Sequence, residues 1–569
     1  MKKKTVTFVF LIVLLSVPAL RALSIPEFYT SHDGSTHTAR IANYYLALKE
    51  GQIPPRLAPN LFGGLGYPIF IFIYPLPYLL GAAFHGIGFS FTQAFELVIG
   101  ASFVLSAITM FLFAKEIFGA LPGFVAAIFY SWAPYRFSQL YVRGAIAESF
   151  AYIFIPLVLL ALWKLSKKAE ARWIGIGSLS LAGLFLSHQL VSLMFLPVFF
   201  VFGLLFLKQA RKKRTYLLAA GAVAVLGFAT SAFIYFPALF ERGYLHFDEL
   251  IDYYADHFVT VRQLIHSPWS YGFSMRGTIN DDMSFQVGLT HLLVAGLATV
   301  SILTLLWKHK KKATKTPYFW LGFSSLAIFS TSILLMLELP AVHWMWKNIP
   351  PIAVIDFPWR LLGVSVFSAS LLASFLLATF PKKSILFGVL MFFVFYSNRN
   401  HLRINKTQVL SDEFFLTYAE TASWRDEFLP RWRMTNQLQY IEKDFKIKEG
   451  KLTVEPLEVL THRLSFRVEA QEQGRIGIHR LYFPGWKVAL DGKPLTLGEE
   501  YEISGDIQLE TETTPYVDRS GFIGVKLPLG THTLEARFSE TPLRKAGFTF
   551  SLVGLLLSVG LISQRKGKR

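Results

Sequence analysis

The sequence contains no cysteine, so it can form neither disulfides nor thiolate metal sites, and the redox compartment stays open. Charge is scarce too: 17% of its 569 residues are charged against 53% hydrophobic, and the mean hydropathy is +0.42. A soluble chain of this length needs more polar surface, so the apolar excess must face lipid. Acidic residues are the rarer sign, 38 against 56 basic, which leaves a formal charge of +18. That excess does not point to nucleic acid. The Lys and Arg residues sit in short clusters between apolar runs, as loops on the cytoplasmic side of a membrane do. There is no internal repeat or low-complexity tract, and Arg21-Ala22-Leu23-Ser24 is a poor small-residue cleavage site. The apolar run behind Lys2-Lys3-Lys4 is therefore expected to stay as an uncleaved first helix.

What is present is a series of apolar runs separated by positive punctuation. The clusters at Lys164–Lys168, Lys208–Arg214, Lys308–Lys312, Lys382-Lys383 and Arg565–Arg569 are expected to be cytoplasmic. Runs near 93–115, 121–136, 148–163, 173–188, 190–207, 216–237, 288–307, 317–337, 358–380, 384–397 and 546–563 alternate consistently with them. Tyr67–Gly86 is also apolar, but counting it as a span breaks the charge rule, and Pro68, Pro75 and Pro77 disfavour a continuous helix. It reads as a re-entrant or juxtamembrane segment lining a cavity, since irregular backbone at membrane depth needs protein or water beside it. The expectation is a polytopic α-helical membrane protein of about 12 spans, multi-pass in the plasma membrane with both termini cytoplasmic.

Residues 1–397 form the expected transmembrane domain, with outer loops 25–92 and 238–287. Residues 398–545 form an extracytoplasmic β-sandwich, and 546–569 a final span with its basic tail. Strands are expected at His462–Ala470, Arg475–Phe483, Trp486–Leu490, Phe522–Leu527 and His532–Phe538, with a hairpin-type turn at Asp491-Gly492.

The most informative stretch runs from Ser31 to Arg40. Behind it, Ile41, Tyr44, Tyr45 and Leu48 share one helical face, as on an amphipathic helix lying on the membrane. Asp33 thus stands where a membrane helix meets that second helix, and either Asp33 or Ser35 is suited to cap it. Together with Gly51–Arg56, Gly63–Pro68 and Tyr74–Tyr78, this stretch resembles the membrane family labelled 6-pyruvoyl-tetrahydropterin-synthase-related, although nothing in the residues suits a pterin enzyme. Asp356–Arg360 and Phe428–Trp432 are similar to motifs of such proteins. Tyr482–Trp486, Asp491-Gly492 and Gly530–His532 resemble the outer domain of YfhO-like members. The order of parts is similar to that of the C-type (GT-C) glycosyltransferase superfamily.

The resemblance implies an inverting membrane glycosyltransferase. It would take a sugar from a polyprenyl-phosphate donor to a glycan, lipid or protein acceptor, with no nucleic acid involved. By position, Asp33 matches the first-loop acid and is the candidate base, since a carboxylate can take the acceptor's proton. Glu148 matches the second-loop acid, with Glu where Asp is commoner. It either orients the acceptor or joins Asp33 in holding Mg²⁺ or Mn²⁺.

Arginine forks suit the departing phosphate, and Arg136 and Arg143 are best placed, followed by Arg40 and Arg360. Arg136 equally reads as a residue snorkelling at a helix end. His37 and His188 are further candidates for substrate contact, although His188 also fits a loop residue satisfied by backbone.

Asp248, Glu249, Asp252, Asp256, His257, Arg262 and His266 read as the solvated face of an interfacial helix rather than a metal site, and Asp281-Asp282 as a turn. Trp424, Trp432 and Trp486 fit core packing better than sugar stacking. A transporter or flippase of lipid-linked glycans, or an inactive glycan-binding scaffold, is the alternative.

Overall fold

Long apolar runs without helix breakers satisfy their backbone internally only as helices when lipid surrounds them. The computed structural model describes residues 2–246, 253–275, 282–313, 316–421, 427–433, 444–495, 516–518 and 520–564. Asp248, Glu249, Asp252, Asp281, Trp424 and the tail Arg565–Arg569 lie outside the described residues.

Helices fall on every apolar run read above: Lys2–Leu20, Phe91–Phe118, Ala120–Ser131, Phe154–Lys167, Ala171–Ser187, Gln189–Gln209, Lys213–Phe240, Leu289–Ala313, Pro317–Leu334, Leu362–Thr379, Lys383–Asn398 and Pro542–Ser563. Among the described residues, eight continuous helical stretches are long and apolar enough to cross a bilayer; three other apolar helices, including Ala120–Ser131 and Ala171–Ser187, are shorter. Full crossing by length and composition therefore holds for eight stretches, fewer than the count expected from hydropathy. Tight links such as Gly119 and His188 take residues from the helices they join.

Burial orders the bundle. Ile146–Lys167 and Pro358–Thr379 are 89% and 94% buried within the protein, whereas the first and last spans are 22% buried. The outer helices expose Phe10, Val17, Leu556 and Leu557, the apolar surface that lipid would cover.

The two central helices position the site, because each begins at the same end of the bundle with one of its charged residues, Glu148 or Arg360. At the other end of Ile146–Lys167, Lys164 pairs with Glu116 and Lys167 bonds Gln209 at 3.3 Å. The Lys164–Lys168 cluster thus stands at the end opposite the site.

Tyr67–Gly86 is not a span. Pro68–Ile71 is a single 3₁₀ turn, and Leu76–Gly86 is a helix of 11 residues, too short to cross. The helix Gly34–Lys49 corrects one expectation. Its apolar face does not rest on the membrane but packs inside the protein, with Ile41 fully buried against Gly81 and Tyr44 edge-on to Phe70 at 5.1 Å. Asp33 occupies its N-cap position, yet the carboxylate makes no capping bond; the cap is backbone only, His37 N–H to the Asp33 carbonyl at 2.8 Å.

The C-terminal domain is a sandwich of two antiparallel sheets. One orders its strands Phe445–Glu449, Gly474–Leu481, Phe522–Leu527 and Tyr516–Val517; the other Leu452–Leu460, Arg463–Ala470, Gly530–Phe538, Trp486–Leu490 and Lys493–Leu495. Alternating residues such as Leu464, Phe466, Val468 and Leu534 of one sheet fill the core, with Ile476 and Ile478 of the other facing them. Trp432 and Trp486 are buried there, so both serve packing.

Asp491 and Gly492 take positive φ, 52° and 76°, as a tight hairpin turn between right-twisted strands requires. The Asp491 carboxylate then accepts from the Thr533 backbone at 2.7 Å and meets His532 at 2.8 Å, so the turn and the Gly530–His532 motif form one joint.

The sandwich is fastened to the bundle. Arg544, fully buried, pairs with Glu241 at 2.7 Å and donates to the Pro484 carbonyl at 2.7 Å; Arg56 pairs with Glu540 at 2.7 Å. Leu481 N–H reaches the Leu65 carbonyl at 2.8 Å, and Thr461 bonds Glu50 at 2.9 Å. The Phe428–Trp432 and Tyr482–Trp486 motifs sit at this seam, where Trp432 packs on Tyr482 at 4.7 Å and on Tyr244 at 5.6 Å.

Candidate functional site

The site begins with a backbone zipper between the two outer loops. His32 N–H donates to the Val142 carbonyl at 3.0 Å and Asp33 N–H to the Arg143 carbonyl at 2.8 Å. The partner strand is the last turn of a π-helix, Ser138–Arg143, which ends on Gly144 with φ 63°. π-Turns inside helical runs mark functional sites because they re-aim side chains. A Cβ on Gly144 would stand 2.5 Å from Ser31 Oγ and 3.0 Å from Gly34 Cα. Gly144→Ala is therefore expected to destabilise the fold by about 1–2 kcal/mol from the left-handed backbone alone, with more from the clash; a thermal melt of the purified protein reads the loss.

This zipper places Asp33 beside the Glu148 cluster. Glu148 is 1% exposed, and each carboxylate oxygen is held twice. Oε1 accepts from Tyr135 at 2.6 Å and Gln139 at 2.8 Å; Oε2 accepts from Arg143 at 2.6 Å and Arg360 at 3.1 Å. Asp356 holds Arg360 from the other side, through Nη2 at 3.1 Å and an ion-pair contact of 2.9 Å at Nε that is too poorly aligned for a hydrogen bond. Trp359 lies under the Arg143 guanidinium at 5.0 Å. The Asp356–Arg360 motif is thus a clamp: its acid and its tryptophan fix two guanidiniums on one glutamate.

The four candidate arginines separate clearly. Arg136 is 2% exposed and turned inward, donating to Gln139 at 2.7 Å and Ser106 at 3.1 Å over the Tyr152 ring. It does not snorkel; it props Gln139 against Glu148. Arg360 is engaged by Glu148 and Asp356. Arg40 donates to Tyr78 at 3.1 Å, one turn from His37, whose Nδ1 meets the same hydroxyl at 2.9 Å. Arg143 bonds only through Nη1, leaving Nε and Nη2 without a hydrogen-bond partner among the described residues.

Asp33 is half-buried, and its carboxylate makes no hydrogen bond or ion pair among the described residues. It acts electrostatically on Arg143, Tyr74 and His32, so it faces the same space. His188 closes that space: it stacks on Tyr74 at 5.0 Å, and its Nδ1 accepts the Val191 N–H at 3.3 Å. Burial pushes its imidazole down to about 3, and burial with the nearby Arg40 lowers His37 as well.

Residues 253–275 of the outer loop 238–287 pack beside the site: His32 bonds the Tyr271 carbonyl at 3.1 Å and stacks on Phe273 at 4.3 Å, and Phe357 packs on Tyr253 at 5.3 Å. In the same loop, Asp256, Arg262 and His266 are exposed, while His257 is buried and bonds Ser274 at 2.9 Å. Asp282 is not in a turn; it pairs with Gly272 and Phe273 as the end of a short antiparallel ladder.

Among the described residues, no three His, Asp or Glu side chains converge as metal ligands. Both Glu148 oxygens are taken by donors, so a divalent ion would find Asp33 as the one uncommitted carboxylate between the two. That donor set does not suit a resident Mg²⁺ or Mn²⁺, which needs several oxygens in near-octahedral array.

These features define a polytopic helical membrane protein with an arginine-clamped polar cluster at one end of the bundle and a β-sandwich fastened beside it. The chain belongs to the 6-pyruvoyl-tetrahydropterin synthase related family of membrane proteins, whose profile matches residues 70–400, more than half of its length. It is 26% identical over 247 residues to an uncharacterized protein of Lactococcus lactis subsp. cremoris (strain MG1363), a match spanning 42% of this chain and 40% of that relative. Among solved structures it is similar to ArnT from Cupriavidus metallidurans bound to undecaprenyl phosphate, with a TM-score of 0.36, 12% identity and coverage of 68% of this chain and 62% of that one. It is also similar to the arabinofuranosyltransferase AftD from Mycobacteria, with a TM-score of 0.37, 15% identity and coverage of 70% of this chain and 26% of that one.

Proposed function

We propose that the chain transfers a sugar from a polyprenyl-phosphate donor to a hydroxyl acceptor, a glycan, lipid or protein, at the outer face of the membrane. The observation that carries this reading is the closeness of two open groups, whose backbones bond at 2.8 Å: the uncommitted Asp33 carboxylate and the open edge of Arg143. Asp33 takes the proton of the acceptor hydroxyl as its oxygen bonds the anomeric carbon. The bond from that carbon to phosphate breaks, and the phosphate leaves with the bonding pair toward Arg143, whose planar fork matches its oxygens. Attack opposite the leaving group inverts the anomeric centre.

Glu148 acts as a positioning residue in this scheme, because its two oxygens hold Arg143 and Arg360 in register. The outer-face assignment is supported by the Lys164–Lys168 cluster at the opposite end of the bundle.

Arg143→Lys keeps the charge beside Glu148 but loses the fork. Affinity for undecaprenyl phosphate, read by native mass spectrometry, is expected to fall about tenfold while Arg136→Lys changes it less. Equal losses in the two variants would remove Arg143 from the phosphate.

A further inference from the structure

His188 has a geometry that fixes more than its position. It is the N-cap of the 21-residue helix Gln189–Gln209, and the Val191 N–H donates to its Nδ1 at 3.3 Å. An imidazole nitrogen that accepts a hydrogen bond carries no proton, so the ring's single proton must sit on Nε2. The ring cannot swing to exchange roles: Tyr74 stacks on it at 5.0 Å and 19°, and Tyr78 in turn stacks on Tyr74 at 5.7 Å.

His188 is 7% exposed, yet among the described residues its Nε2–H has no hydrogen-bond partner. Nε2 lies away from the helix the ring caps, and the charged groups that act on the ring are Glu148, Arg360 and Arg143, the clamp of the site. Nε2 is not among the buried side-chain atoms that lack a partner, so its N–H keeps access to open space and can donate to a group from outside the fold. Burial also keeps the ring uncharged across neutral pH, since its imidazole is pushed down to about 3. An uncharged donor does not compete with Arg143 for phosphate; it suits a hydroxyl or ether oxygen.

We propose that His188 is a single-tautomer hydrogen-bond donor that reads a hydroxyl oxygen of the transferred sugar through Nε2–H, with Tyr74 holding the ring to that task. The inference rests on the transfer reading above and adds to it a residue that distinguishes a loaded carrier from a bare one. Sites built to bond a hydroxyl reject ligands that lack it far more strongly than apolar pockets reject a missing methylene. His188 therefore supplies discrimination rather than overall affinity.

The test uses full-length protein in nanodiscs and two kinds of probe: bare undecaprenyl phosphate, and undecaprenyl-phosphate hexoses carrying glucose, mannose or galactose. Native mass spectrometry gives the ratio of loaded to bare affinity. The wild type is expected to prefer at least one loaded carrier. His188→Phe, which keeps a ring to stack on Tyr74, is expected to lower that preference at least tenfold with bare-carrier binding unchanged. His188→Gln, which returns an amide N–H near Nε2, is expected to recover part of it. ¹⁵N spectra of histidine-labelled protein should show His188 protonated at Nε2 and bare at Nδ1 near pH 6.

A preference unchanged in His188→Phe, or an Nδ1–H tautomer, overturns the proposal and leaves the transfer reading intact. Failure of the wild type to bind either carrier overturns the transfer reading and the sugar assignment with it, while the ¹⁵N pattern still decides the tautomer.

Discussion

Replacing Asp33 by Asn is expected to cut sugar transfer by at least about a hundredfold, the usual range for loss of a general base, while the melting temperature stays within about a degree of wild type. The contrast follows from the site. The Asp33 carboxylate makes no bond among the described residues, so the substitution removes no structural contact there. Its backbone, which zips onto Arg143 and caps Gly34–Lys49, is untouched. A purely structural Asp33 would give the reverse pattern, a lower melting temperature with activity kept in the surviving fraction. Transfer of labelled sugar in reconstituted vesicles, paired with a melt of the same preparation, separates the two.

Glu148→Ala is expected to behave oppositely, losing about 3–5 kcal/mol of stability because it strands the buried Arg143 guanidinium and leaves Arg360 with Asp356 alone. Tyr135 and Gln139 lose their acceptor in the same step. Thermal unfolding monitored by intrinsic fluorescence reads this directly. Adding Arg143→Met and Arg360→Met to Glu148→Ala should recover part of the loss, since an apolar replacement of a buried ion cluster removes the stranded charges along with their partner. No loss of stability in the single variant would show that the clamp is not what holds the two central helices together at this end.

These two acids look alike in the sequence, each in an outer loop near the start of a helix, and hydropathy alone could not tell them apart. The distinction comes from Arg143, which the sequence offered for phosphate, and from Tyr135 and Gln139, which sequence reading passed over. Tyr135, Gln139 and Arg143 recur every four residues ahead of Glu148, and helical spacing puts them on one side. That stripe was legible. The inward turn of Arg136 was not, because it depends on the π-helix that re-aims Ser138–Arg143.

Tyr74 and Tyr78 were visible as part of a proline-rich motif, but their stack against His188 needs the short helix Leu76–Gly86 folded back beside a link between two other helices. The apolar stripe of Gly34–Lys49 signalled a buried face correctly; what it could not convey was that the covering surface is protein rather than lipid, since Ile41 buries equally well against either. In the sandwich, alternation located the core strands Arg463–Ala470 and Phe522–Leu527. The edge strand Leu452–Leu460 was missed, because Pro456 and the register shift after it break the alternation and leave Leu457 and Val459 facing outward.

The central claim is that this site breaks the bond between sugar and carrier phosphate, and one measurement addresses it most directly. Purified wild-type protein is reconstituted with undecaprenyl-phosphate hexoses labelled in the sugar, together with membrane extract as acceptor source, and the release of bare undecaprenyl phosphate is followed by mass spectrometry. The account predicts acceptor-dependent release with one of the hexose donors, lost in Asp33→Asn. Movement of the intact labelled lipid from one leaflet to the other, with no bare carrier formed, would contradict it and make the protein a flippase.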